Sequence, residues 1–403
     1  MGKEMNFISK ITILFLIIFF SIIFSFANSN YLYIDEILHF DQIMRFARGE
    51  TGINPLIYMI PFYHLTLSLI GGIFSNYSIQ FMRIFSFLLS ILTIPVFYLA
   101  AYSINKNSAL LKTLQFSFLP IVFPFFFLLY TDVPSLFSVL LVLLLSLRKK
   151  YLIAGIASIL AILIRQNNIL WVIFVNTVIY LDKFGFMIKG EYLKKHIIKS
   201  LTFIVSILIF IIFIFFNRGF GVRGGAWPLF SLIPLGNIYL FLFCLFLLTI
   251  PLQLVYLPGI ITTLRKKKYL LLLIILYLPL YLMTFKITHP WNRDPFFIRN
   301  TILLFFTSGL GTKLIFYLII IYSLFSFLIT KFERNYWRVL YLFSFIFLWF
   351  TWLIEPRYFI VTMTLFILVR KHENRYIESV IAGLFAVLSI TLFMGMIQKR
   401  FFL

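Results

Sequence analysis

Acidic side chains are scarce in this chain: 13 Asp and Glu stand against 35 Lys and Arg in 403 residues. Only 12% of positions are charged, about half the share of an ordinary soluble domain. With 62% hydrophobic residues, a soluble domain of this length could not hide its apolar surface in a core. Cysteine occurs once, as Cys244, which excludes an intramolecular disulfide. No Cys/His cluster has metal-ligand spacing among the 5 histidines, so no metal site is expected. There is no Gly-x-Ser-x-Gly nucleophile elbow and no Gly-x4-Gly-Lys-Ser/Thr phosphate loop. The strict apolar/polar alternation of an outer-membrane barrel strand is also missing.

What is present is a series of long apolar blocks, which read as membrane-spanning helices. The expected fold is an all-α integral membrane protein, a polytopic bundle of about 12–14 transmembrane helices. Residues 1–403 read as a single transmembrane domain with no soluble part and no long linker. Candidate spans cover 11–27, 56–74, 83–102, 114–130, 133–147, 151–164, 167–181, 200–216, 238–257, 269–286, 301–328, 339–354, 358–369 and 377–396. The first follows Lys3 and Lys10 and lacks a small-x-small cleavage site ahead of hydrophilic sequence, so an uncleaved helix is preferred to a signal peptide. The excess of Phe, 53 residues, is expected to be bulk facing lipid.

The net charge of +22 does not point to nucleic acid, because the basic residues sit in short clusters between apolar blocks. That is the positive-inside pattern, with added attraction to anionic headgroups. Clusters at 148–150, 183–199, 265–268, 331–338 and 370–375 are placed on the cytoplasmic side. The polar connections 165–168, 217–237, 288–300 and 355–357 then fall on the external or luminal side. In the first half the parity is off by one. Segment 114–130, with Pro120 and Pro124, is the first candidate for a re-entrant piece. Spans 151–164 and 167–181 are short for a bilayer and are expected to meet in a water-filled cavity.

Six polar stretches could carry chemistry. The segment 31–42 gathers Asp35, Glu36, His39 and Asp41 just outside the first span. As a helix it places Asp35 and His39 on one face, with Ile34, Leu38 and Gln42 on another, as a juxtamembrane helix would. A carboxylate there suits a general base; a solvated loop with acids at a helix start is the plainer reading. Asp132 follows Tyr130-Thr131 and either serves a site or caps the next helix. Arg165, Gln166 and Asn168 lie between two apolar runs, where an arginine meets either a phosphate or an acid such as Asp132 or Asp35. His289 and Arg293 flank Trp291 and either hold a phosphate or sugar or anchor an interfacial loop. Glu355, Arg357 and Tyr358 form a short turn in which the two charges either neutralise each other or grip a lipid phosphate. Residues 217–225 combine Arg218 and Arg223 with glycines.

In this order the motifs resemble the dolichyl-phosphate-glucose α-1,2-glucosyltransferases, which add the last glucose to the lipid-linked oligosaccharide of N-glycosylation. The resemblance rests on Tyr-Ile-Asp-Glu-Ile-Leu-His at 33–39, Tyr-Thr-Asp-Val at 130–133 and Arg-Gln-Asn-Asn-Ile at 165–169. Thr-His-Pro at 288–290 and Glu-Pro-Arg-Tyr-Phe at 355–359 continue it. It implies a GT-C fold with the active site on the external or luminal face, in the endoplasmic reticulum membrane of a eukaryote or the plasma membrane of a prokaryote. It implies a polyprenyl (dolichyl) phosphate sugar as donor, a lipid-linked oligosaccharide as acceptor, inversion at the anomeric carbon and no further cofactor. It makes Asp35 the base with Glu36 beside it. Substrate contacts would fall to His39, Asp132, Arg165, Gln166, Asn168, His289, Arg293, Glu355, Arg357 and Tyr358. The chain departs from the family at 220–226 and 291–296, loops expected to see donor or acceptor, so the sugar and acceptor stay open.

The expected reaction is attack by an acceptor hydroxyl, deprotonated by Asp35, on the anomeric carbon. The phosphate leaves against the positive charge of Arg165, His289, Arg293 and Arg357. A transporter or flippase of lipid-linked sugars is the alternative, with intramembrane charges marking a path. A peptide-directed member of the same fold is a third.

Overall fold

The computed structural model describes residues 7–221, 234–349 and 351–403. Among them all regular structure is helical, with two isolated bridges, Phe297 to Phe402 and Phe332 to Arg370, and no strand. Arg223 and its neighbouring glycines, singled out above, lie outside the described residues.

Packing divides the chain into two compact units. The first comprises Met1–Ser117 and Val122–Trp227, the second Phe118–Ile121 and Pro228–Leu403. The first unit carries α1 (Phe7–Ala27), α2 (Glu36–Ala47), α3 (Phe62–Ile73), α4 (Ile79–Ile91), α5 (Thr93–Ile104) and α6 (Ala109–Ser117). It continues with α7 (Asp132–Leu147), α8 (Tyr151–Ile164), α9 (Asn168–Phe184), α10 (Gly190–Lys199) and α11 (Leu201–Asn217). The second unit carries α12 (Gly236–Leu248), α13 (Ile250–Lys266), α14 (Tyr269–Thr284), α15 (Ile298–Thr307), α16 (Leu310–Ile329), α17 (Val339–Trp349), α18 (Ile360–Val369) and α19 (Arg375–Ile397).

The protein is a multi-pass helical membrane protein. Among the described residues, four helical stretches are long and apolar enough to cross a bilayer: α1, α4–α5 as one run, α16 and α19. Two bent pairs raise the number to as many as six, α10–α11 at 81° and α12–α13 at 101°. The remaining apolar helices are of 10–17 residues, shorter than the run of about 20 that spans hydrocarbon. The 14 apolar blocks therefore do not map one to one onto full-length spans. Gly309 separates α15 from α16 inside the expected span 301–328, and the 101° bend at Thr249, beside Pro251, falls inside 238–257. Segment 114–130 is not a spanning helix. It leaves α6 at Ser117 and passes through a single 3-10 turn, Phe123–Phe126.

Burial explains α1. Ser9, Ile13, Leu16, Phe20 and Ala27 recur at helical spacing and face inward, while Phe15, Ile18 and Ile22 are exposed as lipid-facing residues are. Phe20 meets the rings of Phe123, Phe126 and Phe127 at 5.1–5.5 Å, so a share of the phenylalanine excess fills the core rather than facing lipid. At the α8–α11 contact a Cβ on Gly155 would sit 1.9 Å from Thr202 Oγ1. Glycine is needed there so that the backbones can approach, and the Ser158 to Ser206 hydrogen bond at 2.8 Å ties the same pair.

Candidate functional site

The helix that follows the first span is built inside out. On α2 the buried residues are Glu36, His39, Gln42 and Ile43, while Ile37 is exposed. A face of acid, imidazole and amide turned inward is costly unless each group has a partner. Glu36 has four. Its carboxylate accepts from Arg83 Nε at 2.8 Å and Nη2 at 2.5 Å, and from the backbone N–H groups of Tyr33 at 2.8 Å and Leu129 at 2.6 Å. Arg83, on α4, is fully buried and gives its other donors to the carbonyls of Ser29 and Tyr31, each at 2.5 Å. A forked guanidinium thus fastens the chain between α1 and α2 from both ends.

The clamp positions Asp35. Ile34, immediately before it, has φ +43°, a left-handed conformation that a β-branched side chain rarely adopts. The Asp35 N–H donates to the Tyr130 hydroxyl at 3.1 Å, and that hydroxyl donates to the Tyr33 carbonyl at 3.3 Å. Asp35 is half-buried at the N-terminal boundary of α2, and its side chain makes no capping bond to the helix. Gln42 and His39, expected on different faces of the helix, share the buried one. His39 Nδ1 meets His64 Nε2 of α3 at 2.8 Å, a contact that requires a proton on one of the two nitrogens. Gln42 accepts from Asn54 N–H at 2.7 Å. Asp41 sits on the outer side with Arg45 at 2.8 Å and Asn54 at 2.8 Å. Partial burial would raise its pKa, but the hydrogen bonds from Arg45 and Asn54 outweigh that and hold it below the usual carboxylate value.

The same unit holds the second and third stretches. Arg165 Nη1 donates to Asp132 Oδ1 at 2.8 Å and Arg165 Nε to Thr131 Oγ1 at 2.9 Å. The pairing with Asp132, open in the sequence, is the one observed. Asp132 is buried in the first turn of α7, where the helix dipole favours an acid, while Arg165 is partly exposed. Gln166 donates to the carbonyls of Tyr58 at 2.7 Å and Phe220 at 3.1 Å, and accepts from Ile60 N–H at 3.0 Å. Asn168 is buried and bridges Ser135 and the Ala161 carbonyl, both at 2.8 Å. Gln166 thus braces loops, while Asn168 ties α7 to the end of α8.

In the second unit Glu355 is buried beside two arginines, Arg357 Nε at 2.5 Å and Arg299 Nη2 at 3.6 Å. The mutual neutralisation read from the sequence is present, with Arg299 as an additional partner. Tyr358 N–H donates to the Glu355 carbonyl at 3.2 Å. Two asparagines hold this turn. Asn237 accepts from Glu355 N–H at 2.8 Å, and Asn292 accepts from Ile354 N–H at 3.0 Å while donating to the Ile354 carbonyl at 2.8 Å. His289 packs edge-on against Trp352 at 4.6 Å and accepts from Trp291 N–H at Nδ1, 3.2 Å away, which leaves Nε2–H as a donor. Arg293 is exposed in the same 3-10 turn, Pro290–Arg293.

Burial pushes the His289 pKa below imidazole's ordinary value, and the nearby Glu355 charge only partly offsets this. The ring is therefore neutral near pH 7 and works as a hydrogen-bond donor rather than a cation. Because the unfolded ring binds protons more readily, this stability is complete above about pH 6.5 and is lost as the pH falls from there through the folded value. His289→Gln should flatten that part of a thermal-stability profile between pH 7 and 5; an unchanged slope would contradict the assignment.

Arg83, His64 and Arg299 were not among the residues picked out in the sequence. The signal for Arg83 was available: a lone arginine at the start of an apolar block must find a partner. His64 and Arg299 carried no local pattern.

Residues 29–191 match the model of the DIE2/ALG10 family. The chain is 28% identical over 163 residues to the Dol-P-Glc:Glc(2)Man(9)GlcNAc(2)-PP-Dol alpha-1,2-glucosyltransferase of Arabidopsis thaliana, covering 36% of this chain and 32% of that one. It is 28% identical over 130 residues to the protein of the same name from Candida albicans, covering 29% of each. The chain thus spans about a third of the length of the curated relatives it matches. No solved structure matches. The resemblance read from the motifs is shown for the stretch that carries Asp35, Glu36, His39, Asp132, Arg165, Gln166 and Asn168.

Proposed function

We propose that this protein is a membrane glycosyltransferase moving a hexose, glucose by its relatives' names, from a polyprenyl or dolichyl phosphate to a lipid-linked oligosaccharide. The observation that carries this is the construction around Asp35: a half-buried carboxylate on a turn fastened by the Arg83–Glu36 pair and the Tyr130 hydroxyl, inside the matched segment. Asp35 takes the proton of the acceptor hydroxyl. The acceptor oxygen bonds to the anomeric carbon as the bond from that carbon to the phosphate oxygen breaks. The phosphate monoester departs with the bonding pair, and the configuration inverts.

Glu36 is assigned a positioning role, since its two oxygens are engaged by a guanidinium and two backbone donors. Arg165 is the proposed phosphate contact in the first unit, because its side chain is partly exposed while Asp132 and Thr131 hold Nη1 and Nε. Gln166 braces the loop before α3, Asn168 ties α7 to α8, and His39 supports α2 from within. In the second unit Arg357, His289, Arg293 and Tyr358 are proposed to handle the substrate's anionic and hydroxyl groups, with Glu355 orienting Arg357. No metal is assigned a role, the arginines supplying the positive charge. The site is placed on the luminal face of the endoplasmic reticulum, or on the cell exterior in a prokaryote.

Mass analysis of lipid-linked glycans from cells with and without the protein tests this. The reading predicts that its loss truncates the glycan by one hexose. Unchanged glycans with an altered distribution across the bilayer would instead favour a flippase.

A further inference from the structure

The second unit contains a cavity of about 390 Å³ in which Arg293 is joined by two lysines that the reaction above does not use. It opens where α14 ends and α16 begins, and three cations line it: Lys286, Arg293 and Lys313. No acid is among its lining residues, and among the described residues none of the three cations has an ion pair. Phe285, Ile287 and Leu304 supply an apolar wall.

The charge of Lys313 does not serve its own helix. Lys313 is the fourth residue of α16, at the end where the helix dipole favours anions and disfavours a lysine. Its backbone is also fixed, the Lys313 carbonyl accepting from the Tyr281 hydroxyl at 2.9 Å. Three cations brought together without a counter-charge repel one another, and an anion between them relieves that cost. The apolar wall beside them excludes a purely hydrophilic anion as the best fit.

We infer that this cavity binds a phosphate monoester carried on an apolar chain, with Lys286, Arg293 and Lys313 around the phosphate and Phe285, Ile287 and Leu304 along the first carbons. Taking that ligand to be the lipid phosphate released as product rests on the proposed transferase activity; the anion site itself does not. A bilayer phospholipid with a phosphate monoester head presents the same chemistry.

Binding of farnesyl phosphate to the purified full-length protein in detergent tests the inference. The wild-type protein should bind it saturably, and Lys286→Gln/Lys313→Gln should raise the Kd at least about tenfold through lost charge-assisted contacts. Lys331→Gln, outside the cavity, should bind as the wild type does and controls for general loss of charge. Farnesol should fail to compete, and inorganic phosphate should compete only at far higher concentration. Displacement by phosphatidic acid as effective as by farnesyl phosphate assigns the site to membrane phospholipid, and weaker displacement assigns it to the polyprenyl phosphate. An unchanged Kd in the double variant, or equal binding of farnesol, would overturn the site. Asp35→Asn should leave this Kd unchanged. Intact binding by a wild-type protein that transfers no sugar would count against the enzyme reading and not against the cavity.

Discussion

Arg83→Leu is expected to destabilise the first unit by about 3–5 kcal/mol, the usual cost of stripping one partner from a buried ion pair. The magnitude follows from what is left behind. Glu36 would remain fully buried with its charge opposed only by the N–H groups of Tyr33 and Leu129. The carbonyls of Ser29 and Tyr31 would lose their donor as well. The strained turn at Ile34 is held against its preference by these contacts, so it should relax and release Asp35. Arg83→Leu/Glu36→Leu should recover a large part of the stability, because an apolar pair does not carry the desolvation cost of two charges. It should recover little activity, because the turn is no longer forked from both sides. Thermal unfolding of the purified variants alongside transfer assays checks both statements. A single variant as stable as the wild type would mean that the pair does not organise this turn.

Asp35→Asn is expected to slow transfer by about 10²–10⁴-fold, the usual contribution of a positioned general base. The substitution is nearly isosteric. Stability should change little, because the side chain keeps its shape and the Asp35 backbone keeps its bonds, its N–H to Tyr130 and its carbonyl to the N–H groups of Leu38 and His39. Asp35→Glu keeps the charge and moves it by one methylene, so it should retain more activity than Asp35→Asn while falling below the wild type. The contrast with Arg83 is informative, since one variant loses chemistry on an intact scaffold and the other loses the scaffold.

The sequence was most legible where physics acts locally. Long apolar blocks gave helices, and the segment after the first span gave a short polar helix. The chemistry-bearing stretches proved to interlock within the first unit, Tyr130 meeting the Asp35 turn and Arg165 meeting Asp132. Which face of α2 would be buried was not legible. Periodicity marks an apolar stripe, and here the inward stripe is polar because Arg83 and His64 arrive from other helices to satisfy it. Span lengths were also hidden. A hydropathy block does not register that Gly309 starts a new helix within a continuous apolar run, or that the chain turns by 101° at Thr249. Arg299 escaped notice because its partner Glu355 is 56 positions away and nothing in the intervening sequence links them.

The most direct measurement is a single-turnover one: enzyme loaded with labelled lipid-phosphate sugar, mixed with acceptor, and followed for the rate of sugar transfer in wild type and Asp35→Asn. The carboxylate is predicted to matter to the chemical step alone, so the variant should bind donor with the wild-type Kd and transfer the sugar at least about a hundredfold more slowly. Transfer within a few-fold of the wild-type rate would contradict the assignment of Asp35 as the base.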